Sequence, residues 1–170
     1  LMSVFFVVSG VGQASAGFVV DRLGARPLLF VALGIFAAAC VAASTVTGYT
    51  GLMLVAALAG LGNATFHPVD FTILNQRVSG PRLGYAFSAH GLTGNLGWAV
   101  FFASISAGFG WRTAYLAAAV LFAAILTLLV VQRDKLSTQV VVHEPHVHKE
   151  HDLAFMKLPV VWWCFGFFLL

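Results

Sequence analysis

Gly17-Phe18-Val19-Val20-Asp21-Arg22-Leu23-Gly24-Ala25-Arg26 places three charges and two glycines between two long apolar runs, at about 1–20 and 27–47. The turn stands out because only 9% of the 170 residues are charged and 60% are hydrophobic, with a mean hydropathy of +0.94. An ordinary soluble domain carries about 25% charged residues. A soluble bundle of this length has too little interior to hide so much apolar surface. The runs on either side of the turn are therefore read as membrane spans.

Working outward, apolar segments occupy about 1–20, 27–47, 51–75, 83–109, 112–131 and 158 onward. The first five approach or exceed the roughly 20 residues that carry an α-helix across a hydrocarbon core. A membrane β-barrel would show segments of about ten residues alternating apolar and polar, and Leu116 to Val131 does not alternate. The expected fold class is all-α, a multi-pass transmembrane helical bundle. Residue 1 is Leu, the opening run lacks the charged start and cleavage site of a signal peptide, and the last run is short, so an internal piece of a longer protein is expected. Cys40 and Cys164 sit inside apolar runs and are read as packed thiols. The net charge of +3 is spread over loops, which argues against a nucleic-acid partner.

Lys and Arg set the orientation, since cytoplasmic loops retain them. The loops after the first, third and fifth segments hold Arg22 and Arg26, then Arg77 and Arg82, then Arg133, Lys135, Lys149 and Lys157. The opposite loops hold Arg112 alone. The Asp21 to Arg26 turn and the 132–157 loop are thus expected on the cytoplasmic side of a cell (inner) membrane.

Gly17, Asp21, Arg22, Gly24 and Arg26 match the G-x-x-x-D-R-x-G-x-R signature between the second and third transmembrane helices of the major facilitator superfamily, which this chain resembles over its whole length. Gly60, Gly62 and Pro68 in the fourth helix and Trp111-Arg112 with Tyr115 entering the sixth agree with it. The resemblance implies that residues 1–131 are helices two to six of an incomplete N-terminal bundle. It makes 132–157 the central loop and 158–170 the start of helix seven, with helix one and the C-terminal half missing. It further implies a secondary active transporter that moves a small solute by alternating access about a midplane site, driven by a proton or solute gradient and with no cofactor; efflux, proton-coupled if protons drive it, is expected over uptake. These residues alone are expected not to transport. Two features depart from the pattern. No arginine stands near Ala56, and no Gly-Pro pair follows Gly91, Gly94 and Gly97, so the antiporter signature is incomplete. Phe66-His67-Pro68 looks like the bacterial fosmidomycin-resistance branch of efflux carriers.

The signature has a physical reading as a gate. Gly17 and Gly24 are expected to let backbones approach closely, while Asp21, Arg22 and Arg26 pair with one another, with helix ends, or with groups on the other half of the carrier. The fourth helix adds a polar face, because Gly60, Asn63, His67, Asp70 and Arg77 recur at steps of three and four, with a final step of seven. Ionisable groups inside a span usually serve a pathway or a partner, and Pro68 can kink the helix beside them. At about 1.5 Å per residue from Thr50, His67 lies about 26 Å and Asp70 about 30 Å in, and His90 about 10 Å from the cytoplasmic boundary. The three are expected to form one inner-side cluster.

Two roles compete for that cluster. In one, His67 or His90 takes a proton near neutral pH and Asp70 stabilises the charged form. In the other, which is preferred for Asp70, its carboxylate pairs with Arg22 or Arg26 as part of the gate and the histidines pack. Asn63 and Asn95 are candidate substrate contacts, since an amide both donates and accepts. In the fifth helix His90, Gly94, Gly97, Ser104 and Gly108 fall close to one face, and the glycines are assigned to tight packing.

His143, Glu144, His146, His148, Glu150 and His151 crowd the central loop. No regular ligand spacing is present, so the run is read as a solvated linker and no metal is assigned. An intramembrane enzyme is the alternative of a different class, with a non-transporting membrane-embedded binding protein beside it. Ser88 and His90 are two apart and point to different sides of a helix, and no Gly-x-Ser-x-Gly turn exists, so no catalytic residue is named.

Overall fold

A backbone in hydrocarbon must satisfy its own hydrogen bonds, and each of the first five apolar runs does so by forming a helix. In the computed structural model these are α1 (Met2–Leu23), α2 (Ala25–Thr45), α3 (Tyr49–Arg77), α4 (Gly80–Leu96), a π-helical segment (Gly97–Phe102), α5 (Ala103–Phe109) and α6 (Trp111–Val131). From α4 to α5 the helical path is continuous, so five helices, Met2–Leu23, Ala25–Thr45, Tyr49–Arg77, Gly80–Phe109 and Trp111–Val131, are long and apolar enough to cross a membrane. The structure describes residues 1–136, 157–159 and 162. The helices lie in one compact unit, Leu1–Val140. In the second unit, Val141–Leu170, the described residues are Lys157, Leu158, Pro159 and Trp162. The histidine-rich stretch and Cys164 lie outside the described residues.

Three reversals are made by glycines with positive φ: Gly24 (81°), Gly48 (87°) and Gly110 (84°). Their ψ values of 157°, 160° and 155° put them in a region essentially closed to side chains. At Gly24 a single residue ends α1, through a bond from its N–H to the Val20 carbonyl at 2.8 Å, and begins α2. Gly24 is therefore required for its backbone angles. The expected close approach at Gly17 is not found, since a Cβ there would meet nothing within 4 Å.

α2 is the centre of the unit and packs against α3 and α6, while α1 packs against α3. Lipid tails are as apolar as leucine, so helices associate through close packing and not through exclusion of water. Small residues accordingly line the α2 contacts: Ala25, Ala32, Ala39 and Ala43 are all buried. Leu28, Leu29, Leu33, Val20 and Val69 form the core beside them, flanked by Phe66, Phe122 and Leu126. α1 and α3 meet where Gly12 faces Ala64, and where a Cβ on Gly60 would stand 2.6 Å from the Phe5 carbonyl oxygen. α3 runs unbroken through Pro68.

α4 and α5 depart from expectation. No residue of α4, the π segment or α5 is buried, and a Cβ on Gly91, Gly94, Gly97 or Gly108 would meet nothing within 4 Å. These glycines do not serve packing within the described residues. The π segment also breaks the 3.6-residue register, so Ser104 and Gly108 do not continue the His90, Gly94, Gly97 face by α-helical spacing.

Candidate functional site

The connection between α3 and α4 is two residues, Val78 and Ser79, so the helices form a hairpin whose positions are level when equally far from the turn. Asp70 and His90 are offset by about one helical turn in this scheme. Side chains lean toward the N-terminus of their own helix. In this hairpin, Asp70 therefore leans away from the turn and His90 toward it, which closes the offset. The His90 Nε2 lies 3.3 Å from the Asp70 carboxylate, with the Asp70 side chain 16% exposed and that of His90 42% exposed.

A cavity of about 380 Å³ adjoins this pair, lined by His67, Phe71, Phe87, His90 and Gly91. His67 and Phe71 come from successive turns of α3, with ring centroids 5.7 Å apart. Phe87 and Gly91 occupy successive turns of α4, and the Phe71 and Phe87 rings meet edge to face at 5.1 Å. Gly91 leaves its side of the cavity open because it has no side chain. The cluster expected from His67, Asp70 and His90 is thus assembled. The preferred partner for Asp70 is not: among the described residues its carboxylate meets the His90 imidazole, and neither Arg22 nor Arg26 reaches it. The antiparallel hairpin explains this, because α4 is the helix that returns beside Asp70.

The other signature residues occupy the same end of the bundle. Asp21 and Arg22 are exposed in the last turn of α1, and among the described residues Asp21 forms no ion pair. Arg26 at the start of α2 donates from Nη1 to the Arg133 carbonyl just past α6, at 3.2 Å. At the opposite end Arg112 donates from Nη1 to the Ser44 carbonyl at 2.7 Å and from Nη2 to the Val46 carbonyl at 3.1 Å. Its guanidinium also lies 4.5 Å from the Trp111 ring centroid. These two clasps tie α2 antiparallel to α6.

Of the amides named from sequence, Asn63 donates to the Ser9 hydroxyl of α1 at 2.8 Å, and Gln13 donates to the same oxygen at 2.9 Å. Ser9 is 2% exposed, so the Asn63 amide joins a buried contact between helices. Asn95 is exposed on α4 and stands outside the cavity lining. Ser88 is likewise exposed, away from any cavity wall described above.

Sequence reasoning passed over Phe71, Phe87, Ser9 and Gln13. Counting outward from the Val78-Ser79 turn would have placed Phe71 and Phe87 level with Asp70. Ser9 and Gln13 carry a weaker signal, two hydrogen-bonding residues one turn apart in an apolar run.

No group of three or more metal-ligating side chains occurs among the described residues. Neither a curated protein nor a solved structure matches the chain. The sequence model of the Major Facilitator Superfamily matches residues 1–170. With five helices long and apolar enough to cross a membrane and the signature turn in place, the chain belongs to the Major Facilitator Superfamily of transporters.

Proposed function

We propose that this chain serves a secondary carrier exporting a small solute across the inner membrane in exchange for protons, with the Asp70–His90 pair as its proton site. One observation carries the reading: an imidazole and a carboxylate, 3.3 Å apart, bridge two membrane-length helices beside a cavity. Ionisable groups in spans are costly and mark pathways or relays, and imidazole changes charge near physiological pH. Protonation tightens the link between α3 and α4, and loss of the proton loosens it, so the occupancy of His90 biases the packing of the two helices. His67 takes part as the second imidazole on the cavity wall. The family resemblance favours export through Phe66-His67-Pro68, similar to the fosmidomycin-resistance branch.

In this reading residues 1–131 are helices two to six and 132–157 the central loop. Gly17, Asp21, Arg22, Gly24 and Arg26 form the cytoplasmic gate, with Asp70 entering it when His90 releases its proton. Arg26, by holding the carbonyl past α6, fixes the gate against α6 in the present state. Asn63 and Asn95 stand as solute contacts in other states of the cycle. The protein acts as a carrier and not as an enzyme.

The test is proton-linked flux in proteoliposomes carrying the full-length protein. Asp70→Asn and His90→Ala are expected to abolish coupling to a pH gradient while leaving solute exchange between equal-pH compartments. Wild-type coupling in both variants would overturn the assignment.

A further inference from the structure

We propose that the signature end of the seam between α2 and α6 binds the headgroup of an anionic phospholipid, with Arg26 and Arg133 holding its phosphate. The same two helices meet at arginine on both ends of their seam, and the two ends are balanced differently. At the opposite end Arg112 donates to two carbonyls, Ser44 at 2.7 Å and Val46 at 3.1 Å, and lies against the Trp111 ring. At the signature end two arginines share one such bond, from Arg26 Nη1 to the Arg133 carbonyl at 3.2 Å. A guanidinium carries five N–H donors, and this bond uses one of them. It also sets where the two charges stand, because Arg26 is drawn onto the backbone of the residue that carries the second guanidinium.

The positive charge is not cancelled by neighbouring carboxylates. Asp134 Oδ1 stands 4.0 Å from Arg133 Nε, with the two side chains 93% and 67% exposed, and an exposed pair at that distance holds its partners weakly. Arg22 in the last turn of α1 adds a third guanidinium at this end, while Asp21 beside it forms no ion pair among the described residues. A guanidinium stays charged at physiological pH and takes phosphate through two parallel N–H bonds. The surface next to the arginines makes the anion a lipid. The last turn of α6, directly before Arg133, is apolar and open: Leu128, Val130 and Val131 are 54%, 43% and 76% exposed. Phe30, one turn along α2 from Arg26, is half-buried. A phosphate held at the arginines therefore has apolar helix surface beside it, which an acyl chain covers and a free phosphate does not.

The experiment titrates the full-length protein in detergent with phosphatidylglycerol and with phosphatidylcholine of the same acyl chains, and native mass spectrometry reads the ratio of the two affinities. Both lipids carry the phosphate, but the choline ammonium cancels its charge, so wild type is expected to prefer phosphatidylglycerol on the order of ten-fold. Each basic residue near an anionic surface contributes about five-fold. Arg133→Gln leaves the Arg26 bond in place, because that bond ends on a backbone carbonyl, and should lower the preference about five-fold with an unchanged thermal midpoint. Adding Arg26→Gln should bring the ratio close to one, while Arg26→Lys with Arg133→Lys should keep part of it. Should Arg26→Gln fail to fold, Arg133→Gln alone decides. Arg82→Gln, at the start of α4, should leave the ratio near that of wild type. Millimolar glycerol 3-phosphate should not displace the bound lipid. Equal affinity for the two lipids in wild type, or a wild-type ratio in Arg133→Gln, overturns the proposal. An equal loss in Arg82→Gln also overturns it, since the attraction would then belong to the whole basic end and not to this seam. Displacement by glycerol 3-phosphate overturns the choice of a lipid in favour of a soluble phosphate.

Discussion

Replacing Arg112 by Ala removes the clasp between the last carbonyls of α2 and the first turn of α6. Ser44 and Val46 stand at a helix end whose carbonyls lack intrahelical partners, and Arg112 supplies donors to both, at 2.7 and 3.1 Å. A hydrogen bond to a charged group contributes about 1.5–3 kcal/mol when shielded. The Ser44 bond is part-buried and the Val46 bond exposed, so the first counts nearly in full and the second only in small part. The stacking of the guanidinium on Trp111 adds about 0.5–1 kcal/mol at an exposed site. The expected loss is about 2–4 kcal/mol, or a fall of about 4–16 °C in the thermal midpoint for a chain of this size. Arg112→Lys should recover roughly half, since an ammonium can satisfy one carbonyl well but not span two with a planar fork. Thermal unfolding in detergent, followed by tryptophan fluorescence, measures the effect. Arg82→Ala is the control, because that side chain makes no hydrogen bond among the described residues. If Arg112→Ala melts with the wild type, the two carbonyls do not depend on this residue and the clasp has no energetic weight.

Two glycine substitutions separate packing from backbone conformation. Gly60→Ala drives a methyl toward the Phe5 carbonyl and Val8 and should destabilise the α1–α3 contact by about 1–3 kcal/mol, while Gly17→Ala, with open space around it, should melt no lower than wild type. Gly24→Ala should cost about 1–3 kcal/mol through its φ of 81°, and unchanged thermal stability in that variant would show that the turn can open to another conformation.

The order of spans was legible because lipid imposes its demand on each segment separately. The runs beginning near Ala25, Tyr49 and Trp111 had to become helices whatever their neighbours did. Gly24 was visible as a member of the signature, whereas its φ of 81° was not: composition cannot tell a glycine needed for close contact from one needed for positive φ. Asp70 illustrates the harder case. Its position on a polar face of α3 was readable, yet its partner depended on which helix returned beside it. Counting from Val78 and Ser79 would have favoured His90 over arginines on α1 and α2. Asn63 was read as a solute contact because an amide both donates and accepts, and in the structure it donates to Ser9, 54 residues earlier on α1.

By itself the sequence determined that the chain is helical and membrane-spanning, since burial in hydrocarbon acts on each segment locally. Only the tertiary structure decided that His90 holds Asp70, that Arg112 and Arg26 bind α2 to α6 at opposite ends, and that a π segment turns α5 out of step with α4. Those outcomes depend on helix rotation and on which helices lie side by side. Both are set by packing between segments distant in the chain, which no single stretch encodes.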